Sequence, residues 1–311
     1  MESRLFSDKR DFLAIPDLSA KELRMVIDLA KAIKRNPGAY SKSLEGKVLA
    51  MLFQKTSTRT RVSFEVAMYQ LGGQALFLDW RTTNFTLGGL EDEIRSLSRY
   101  VDVIMARVFK HADVEAMARA SRVPVINGLS DTAHPCQALA DMLTIEEKCP
   151  DMRNTKVVFI GDGTDNVCAS LIDICALLNV EFTVVCPKAY APPASKMAAI
   201  EQYGLAKYIH IANDIDTGVN GADVLYTDTF VSMGQESEAE KRLQELKPYQ
   251  LNAAVVQKTG KKPFIMHCLP AHRDVEIASD LIESPRSIIF DQAENRMHAQ
   301  KALLLFLLGK A

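Results

Sequence analysis

The chain has 311 residues, 48% of them apolar and 24% charged, the balance of a globular protein long enough for two domains of ordinary size. A net charge of -2 gives no broad basic field, so nucleic-acid binding has no support and any phosphate must be held by a local site. The six cysteines form no CxxC pair and Cys168, Cys175 and Cys186 lie in apolar runs, which fits free thiols in a reducing, cytoplasmic setting; no leader-like segment and no apolar run of about 18 residues is present, so no membrane partner is expected.

In chain order, residues 20–34 carry an apolar stripe of Leu23, Val26, Ile27, Leu29 and Ala30. With Ser19 ahead of them and Glu22 three residues on, they predict an amphipathic helix opened by a capping box. Residues 47–53 are an unbroken apolar run, the mark of a buried strand. Phe64, Met68 and Leu71 then recur at helical spacing until Gly72-Gly73 ends the helix. A strand is expected at 74–79, a polar loop at 80–89, a helix at 91–100 and a strand at 101–108 containing Arg107. A helix at 111–121, a short strand at 124–127 and a helix running to about Lys148 complete the first series.

Cys149-Pro150-Asp151 breaks the pattern and marks a candidate boundary, with one domain at 1–149 and the next from 150. The second series has strands at 156–161, 181–186, 208–211, 223–227 and 264–268, helices at 166–178, 193–203, 237–246 and 249–258, and a last helix at 292–308. Strand–helix alternation in both halves predicts an α/β protein of two doubly wound domains, each a parallel sheet flanked by helices.

Side chains able to do chemistry gather at the strand ends. Ser57-Thr58-Arg59-Thr60-Arg61 sits at a strand-to-helix junction. There the free N–H groups of a helix N-terminus favour an anion, the hydroxyls add donors, and Arg59 adds a planar fork suited to phosphate. The plainer alternative is a helix cap followed by surface arginines. Arg107 closes another strand, and ligands of open α/β sheets gather beyond carboxyl ends, so it converges with Ser57–Thr60 unless it is an ordinary surface arginine. In His134-Pro135-Cys136-Gln137, Pro135 suits a first helical turn and leaves His134 beside the helix N-terminus; a structural histidine is the alternative. Gly161-Asp162-Gly163 between a strand and a helix invites a dinucleotide reading but lacks the third spaced glycine. Asp228 ends a strand and is followed by Ser232-Met233-Gly234, either a ligand loop or a capped turn. His267-Cys268-Leu269-Pro270 follows the last strand, where a buried cysteine is usually only a small hydrophobe.

Together these stretches resemble, in the same order and over nearly the whole chain, the motifs of the aspartate and ornithine carbamoyltransferases. The matching elements are Ser57–Arg61 with Phe64-Glu65 after it, His134-Pro135-x-Gln137, Asp228 with Ser232-Met233-Gly234, His267-Cys268-Leu269-Pro270, and Arg296 in Glu294-Asn295-Arg296. The resemblance implies a carbamoyl phosphate site of Ser57, Thr58, Arg59, Thr60, Arg107, His134, Gln137, Cys268, Leu269 and Arg296. In it Thr60, Arg107 and His134 surround the carbamoyl oxygen and Gln137 meets the carbamoyl amide. It implies an ornithine site of Asn166, Asp228 on the α-amino group, Ser232 and Met233, with Arg107, His134 and Cys268 catalytic. Cys268 is similar to the ornithine branch, since the aspartate branch has His-Pro-Leu-Pro there.

The same resemblance implies carbamoyl transfer from carbamoyl phosphate to the δ-amine of L-ornithine, a step of arginine metabolism, with no metal or organic cofactor. It also implies an amino-acid domain at 150–290, a C-terminal helix at 291–311 packed back on the first domain, and a homo-oligomer, a trimer or multiple of trimers, in which a neighbour's loop completes each site. One departure falls in that loop: ornithine enzymes carry Ser-Gln-x-Gly, whereas residues 84–88 here place Thr86 at the glutamine's position, and the lysine of the aspartate branch is absent. The alternatives are a carbamoyltransferase for another amine such as putrescine or a modified ornithine, a nicotinamide-dependent oxidoreductase, and a silent relative.

Overall fold

The computed structural model describes residues 9–232 and 236–311. They form two compact units, one joining the chain through Leu143 with Asn295–Ala311, the other spanning Thr144–Glu294.

The first unit is built on four parallel strands, β1 (Val48–Phe53), β2 (Gln74–Asp79), β3 (Val103–Arg107) and β4 (Val125–Leu129), in the order β2-β1-β3-β4. The inner strands β1 and β3 and the edge strand β4, which Phe12 bridges at Ile126, are almost wholly buried and correspondingly apolar, as strands covered on both faces must be. The edge strand β2 is partly exposed. The chain leaves β1 toward β2 on one side and returns to β3 on the other, which makes the carboxyl ends of β1 and β3 a topological switch point. Phe53 stands opposite Arg107 there, and the Gln54 N–H donates to the Arg107 carbonyl at 2.9 Å.

The expected capping box is present at helix Ala20–Arg35: the Glu22 N–H donates to the Ser19 hydroxyl at 3.3 Å, and the Ser19 N–H donates to the Glu22 carboxylate at 2.9 Å. The polar segment 80–89 is more ordered than a plain loop, with 3-10 turns at Trp80–Thr82 and Asn84–Thr86. The stacked rings of Trp80 and Phe85, 5.0 Å apart, supply the contact that composition alone did not show.

The last helix, Ile289–Leu307, starts three residues before the sequence pattern suggested, and from Asn295 onward it belongs to the first unit. Lys34 donates to Asn295 at 2.8 Å, Lys301 donates to the Gln70 side-chain oxygen, and the Arg10 guanidinium lies 5.2 Å from the Phe306 ring centre.

The second unit has five parallel strands, β5 (Lys156–Ile160), β6 (Glu181–Val185), β7 (Ile209–Ala212), β8 (Val224–Thr227) and β9 (Phe264–His267), in the order β7-β6-β5-β8-β9. Its switch point lies between β5 and β8. A short helix, Ile215–Val219, intervenes before β8 and is invisible to propensity because it contains Gly218. A β-carbon at Gly218 would stand 2.5 Å from the Val185 side chain, so close packing on the sheet requires the glycine. The helix expected over 249–258 is restarted by Asn252, whose side chain accepts from the Val255 N–H at 3.2 Å, and it spans only Ala253–Lys258. Among the described residues no helix is long and apolar enough to cross a membrane.

Lys301 gives this packing a pH signature. Its side chain is 1% exposed and burial pulls its pKa below the usual lysine value. The penalty for the buried charge is therefore complete at neutral pH and fades as pH rises toward the unfolded value of about 10.4. Denaturant unfolding from pH 7 to 10 should show stability rising with pH more steeply in the wild type than in Lys301→Met. Equal slopes would contradict this assignment.

Candidate active site

In the first unit, the loop after β1 is fastened by its own side chains. Ser57 caps helix Thr58–Gln70: its oxygen accepts from the Thr60 N–H at 3.3 Å, and its hydroxyl donates to Thr60 Oγ1 at 3.1 Å. Thr58 is exposed, Ser57 and Arg59 are half-buried and Thr60 is buried. Arg296 reaches the same point from the C-terminal helix, donating from Nη2 to Thr60 Oγ1 at 3.3 Å and from Nη1 to Gln137 Oε1 at 2.5 Å. Arg107 is buried at the end of β3 rather than an ordinary surface arginine.

His134 stands just ahead of helix Pro135–Lys148 and is buried. Its pKa is held well below the histidine norm, first by burial and then by the charges of Arg296, Arg107 and Arg59. Three guanidinium groups thus act on one neutral imidazole beside a helix N-terminus, a positive field suited to a dianion. A cavity of about 230 Å³ borders the loop, lined in part by Ser57, Thr58, Arg61 and three residues the motif reading passed over: Lys55, Asp79 and Arg81. Lys55 is buried with its ammonium 4.7 Å from the Phe109 ring centre, and Arg81 pairs with Asp79 at 2.6 Å. Thr86 lies in its own 3-10 turn, where its hydroxyl donates to the Thr83 carbonyl at 3.4 Å.

The second unit places carboxyl groups at its strand ends. Asp162 follows β5, accepts from the Thr164 N–H at 2.8 Å and pairs with buried Arg242. Asp165 caps helix Asn166–Leu178 by accepting from the Val167 and Cys168 N–H groups at 2.7 and 3.2 Å. A carboxylate therefore occupies the helix N-terminus that a pyrophosphate would need. A β-carbon at Gly163 would stand 2.6 Å from the Tyr190 carbonyl, so that glycine serves packing within the protein rather than a nucleotide cradle. The dinucleotide reading has no support in this geometry.

Asp228 is buried after β8 and accepts from the Thr229 N–H at 2.7 Å. Burial raises its pKa, against the opposing influence of His267 and a hydrogen bond with Cys268. One ligand atom each from Asp228, His267 and Cys268 lie within 4.8 Å of one another, the spacing of a cation site among the described residues. His267 is nevertheless committed elsewhere. The Leu269 N–H donates to Nδ1 at 2.8 Å, so the ring proton sits on Nε2, 3.2 Å from Glu276 Oε1. With both nitrogens engaged, the cluster works as a hydrogen-bonded network. It also holds Leu269 at a φ of 60°, a conformation costing an L-residue roughly 1–2 kcal/mol.

Asn166 opens its helix and, like Ser232, is half-buried; Met233 and Gly234 lie outside the described residues. Arg242 is a functional candidate the sequence reading missed: its Nε donates to the Phe230 carbonyl at 2.9 Å and so braces the stretch between Asp228 and Ser232.

The fold and the two strand-end sites define a doubly wound α/β protein that separates an anion site from an acidic, thiol-bearing one. Comparison with known proteins narrows this class. Family models described as aspartate/ornithine carbamoyltransferase match residues 10–147 (carbamoyl-P binding domain) and 153–307 (Asp/Orn binding domain). The ornithine carbamoyltransferase of Pyrococcus horikoshii is 47% identical over 308 residues, covering 96% of each chain. The solved ornithine carbamoyltransferase of Pyrococcus furiosus superposes with a TM-score of 0.91 at 47% identity, over 97% of each chain. The anabolic enzyme of Campylobacter jejuni gives 0.90 at 36%, over 97% of this chain and 100% of that one. The chain belongs to the aspartate/ornithine carbamoyltransferase family.

The depressed pKa of His134 has a direct readout. In the ligand-free protein its ring nitrogens should keep neutral-imidazole NMR shifts as pH falls through the ordinary histidine value of about 6.5. Titration of His134 near that value would show that neither burial nor the arginine charges govern it.

Proposed function

We propose that this protein transfers the carbamoyl group of carbamoyl phosphate to the δ-amine of L-ornithine, giving L-citrulline and phosphate. The observation that carries the proposal is the Arg296 fork bonded both to Thr60 of the Ser57–Arg61 run and to Gln137 of the His134–Gln137 run, with Arg107 and His134 buried in the same unit. The names of the close relatives support the same reading.

The first unit is the donor side. Ser57, Thr58, Arg59, Thr60 and Arg107 hold the phosphate. Thr60, Arg107 and His134 polarise the carbonyl oxygen where negative charge develops, with His134 donating as a neutral imidazole. Gln137 accepts from the carbamoyl NH2. The second unit is the acceptor side: Asp228 takes the α-ammonium, Asn166, Ser232 and Met233 seat the amino acid, and Cys268 and Leu269 attend the carbamoyl group. The neutral δ-amine attacks the carbonyl carbon, the C–O bond to phosphate breaks, and phosphate leaves with the electron pair while the nitrogen gives up a proton. Carbamoyl phosphate is an activated mixed anhydride, so positioning and charge stabilisation suffice and no metal or organic cofactor enters the scheme.

Asp228 arrives with its pKa raised by burial, and an incoming ammonium restores the carboxylate, which makes an amino acid with a free α-amine the preferred partner. We further infer a homotrimer or multiple of trimers, in keeping with Tyr69, Leu87 and Tyr100 being exposed on the first unit. A cytoplasmic setting agrees with six free cysteines.

The test is carbamoylation of L-ornithine against putrescine, N-acetylornithine and aspartate, run from pH 7 to 9. Ornithine should be strongly preferred, with the rate rising toward alkaline pH because an alkylammonium of pKa about 10.4 must lose its proton. Preference for another amine would move the specificity, and folded protein that turns over none would overturn the proposal.

A further inference from the structure

Gln137 is held from both ends. Its amide has two ends of nearly equal size, an oxygen that only accepts and a nitrogen that only donates. On one side stands Arg296, which can only donate, and its Nη1 lies 2.5 Å from Gln137 Oε1. On the other side stands Asp141, one helical turn further along Pro135–Lys148, and Gln137 Nε2 donates to Asp141 Oδ1 at 2.7 Å. An ionised carboxylate can only accept. Reversing the amide would set N–H against guanidinium and oxygen against carboxylate, two repulsive contacts where there were two bonds. Gln137 and Asp141 are 1% and 0% exposed, so no bulk water softens that choice.

We propose that Asp141 is a positioning residue that locks the Gln137 amide with its oxygen toward the donor's carbamoyl NH2, and so sets the selectivity of the site for carbamoyl over acyl phosphates. The inference rests on the function proposed above, in which Gln137 meets the carbamoyl amide. The Gln137 oxygen has a second lone pair beyond the one Arg296 uses, and that lone pair is what the site offers. A carbamoyl N–H satisfies it. The methyl of acetyl phosphate, otherwise close in shape and charge, leaves it unpaired, and an unpaired buried acceptor is costly. Without the Asp141 carboxylate the nitrogen end loses its partner, the amide is no longer pinned at both ends, and discrimination falls.

The experiment compares binding of carbamoyl phosphate and acetyl phosphate to the full-length protein by calorimetry, in the wild type, Asp141→Ala and Asp141→Ser. The wild type should prefer carbamoyl phosphate by about tenfold or more, the worth of one good buried hydrogen bond. Both variants should lose most of that preference, chiefly through weaker carbamoyl phosphate binding. If a variant binds both phosphates less tightly by the same factor, Asp141 is merely structural and the inference falls. If neither variant folds, a crystal structure of the wild type decides. An Asp141 carboxylate within hydrogen-bond distance of the Gln137 nitrogen sustains the inference, and one turned away overturns it. A wild type that shows no preference between the two phosphates would instead overturn the underlying reading of Gln137.

Discussion

The Arg296 guanidinium is the junction on which the first unit depends. It donates to Thr60, 236 positions away in sequence, and to Gln137, 159 positions away. Arginine cannot shed its proton in a protein, so a buried guanidinium must be met by acceptors wherever they are found. That requirement brings the C-terminal helix back to the strand ends of the first sheet, and the Lys34–Asn295 and Lys301–Gln70 bonds fasten it there. Burial, and then the same charge with those of Arg107 and Arg59, holds the His134 pKa well below the histidine norm. One guanidinium therefore serves a packing contact and contributes to a protonation state.

The second unit solves a different electrostatic problem with the same architecture. After β5 and β8 its sheet carries Asp162, Asp165 and Asp228, all buried. Arg242 answers Asp162, while burial pushes Asp165 and Asp228 toward their protonated forms, with the charges of Asp228 and Asp162 adding to it at Asp165. Two doubly wound sheets thus carry different ionisable groups at their switch points, arginines in one and carboxyls in the other, the second set ready to ionise beside an ammonium. Sorting by charge in this way lets two substrates of opposite sign be recognised without a broad surface potential, in accord with a net charge of only -2.

Much of this was legible in the sequence, because strand–helix alternation is a strong signal and chemistry gathers at strand ends. All nine strands among the described residues fall where the sequence pattern placed them, within a residue or two at each end. The Ser57–Arg61 run, Arg107, His134 and Gln137 stood out at strand ends and helix starts, and Arg296 through the family resemblance. What escaped was of two kinds. Helix Ile215–Val219 was hidden by Gly218, whose role is a tertiary contact that local propensity cannot express. Asp141, Lys55 and Arg242 were missed because each looks like an ordinary polar position in its own segment, and each acquires its role only from a partner brought in by the fold. The two compact units divide at Leu143, within helix Pro135–Lys148 and a few residues before the Cys149-Pro150-Asp151 break, which the family domains at 10–147 and 153–307 flank.

The central claim is that the Arg296 fork, bonded to Thr60 and Gln137, belongs to the donor site. Calorimetric titration of carbamoyl phosphate into Arg296→Lys tests it most directly, because lysine keeps the charge but loses the planar fork that bridges two acceptors. The account predicts affinity at least roughly tenfold weaker than in the wild type, the range of a lost charge-assisted hydrogen bond, with the fold intact. Wild-type affinity in a folded Arg296→Lys protein would contradict it.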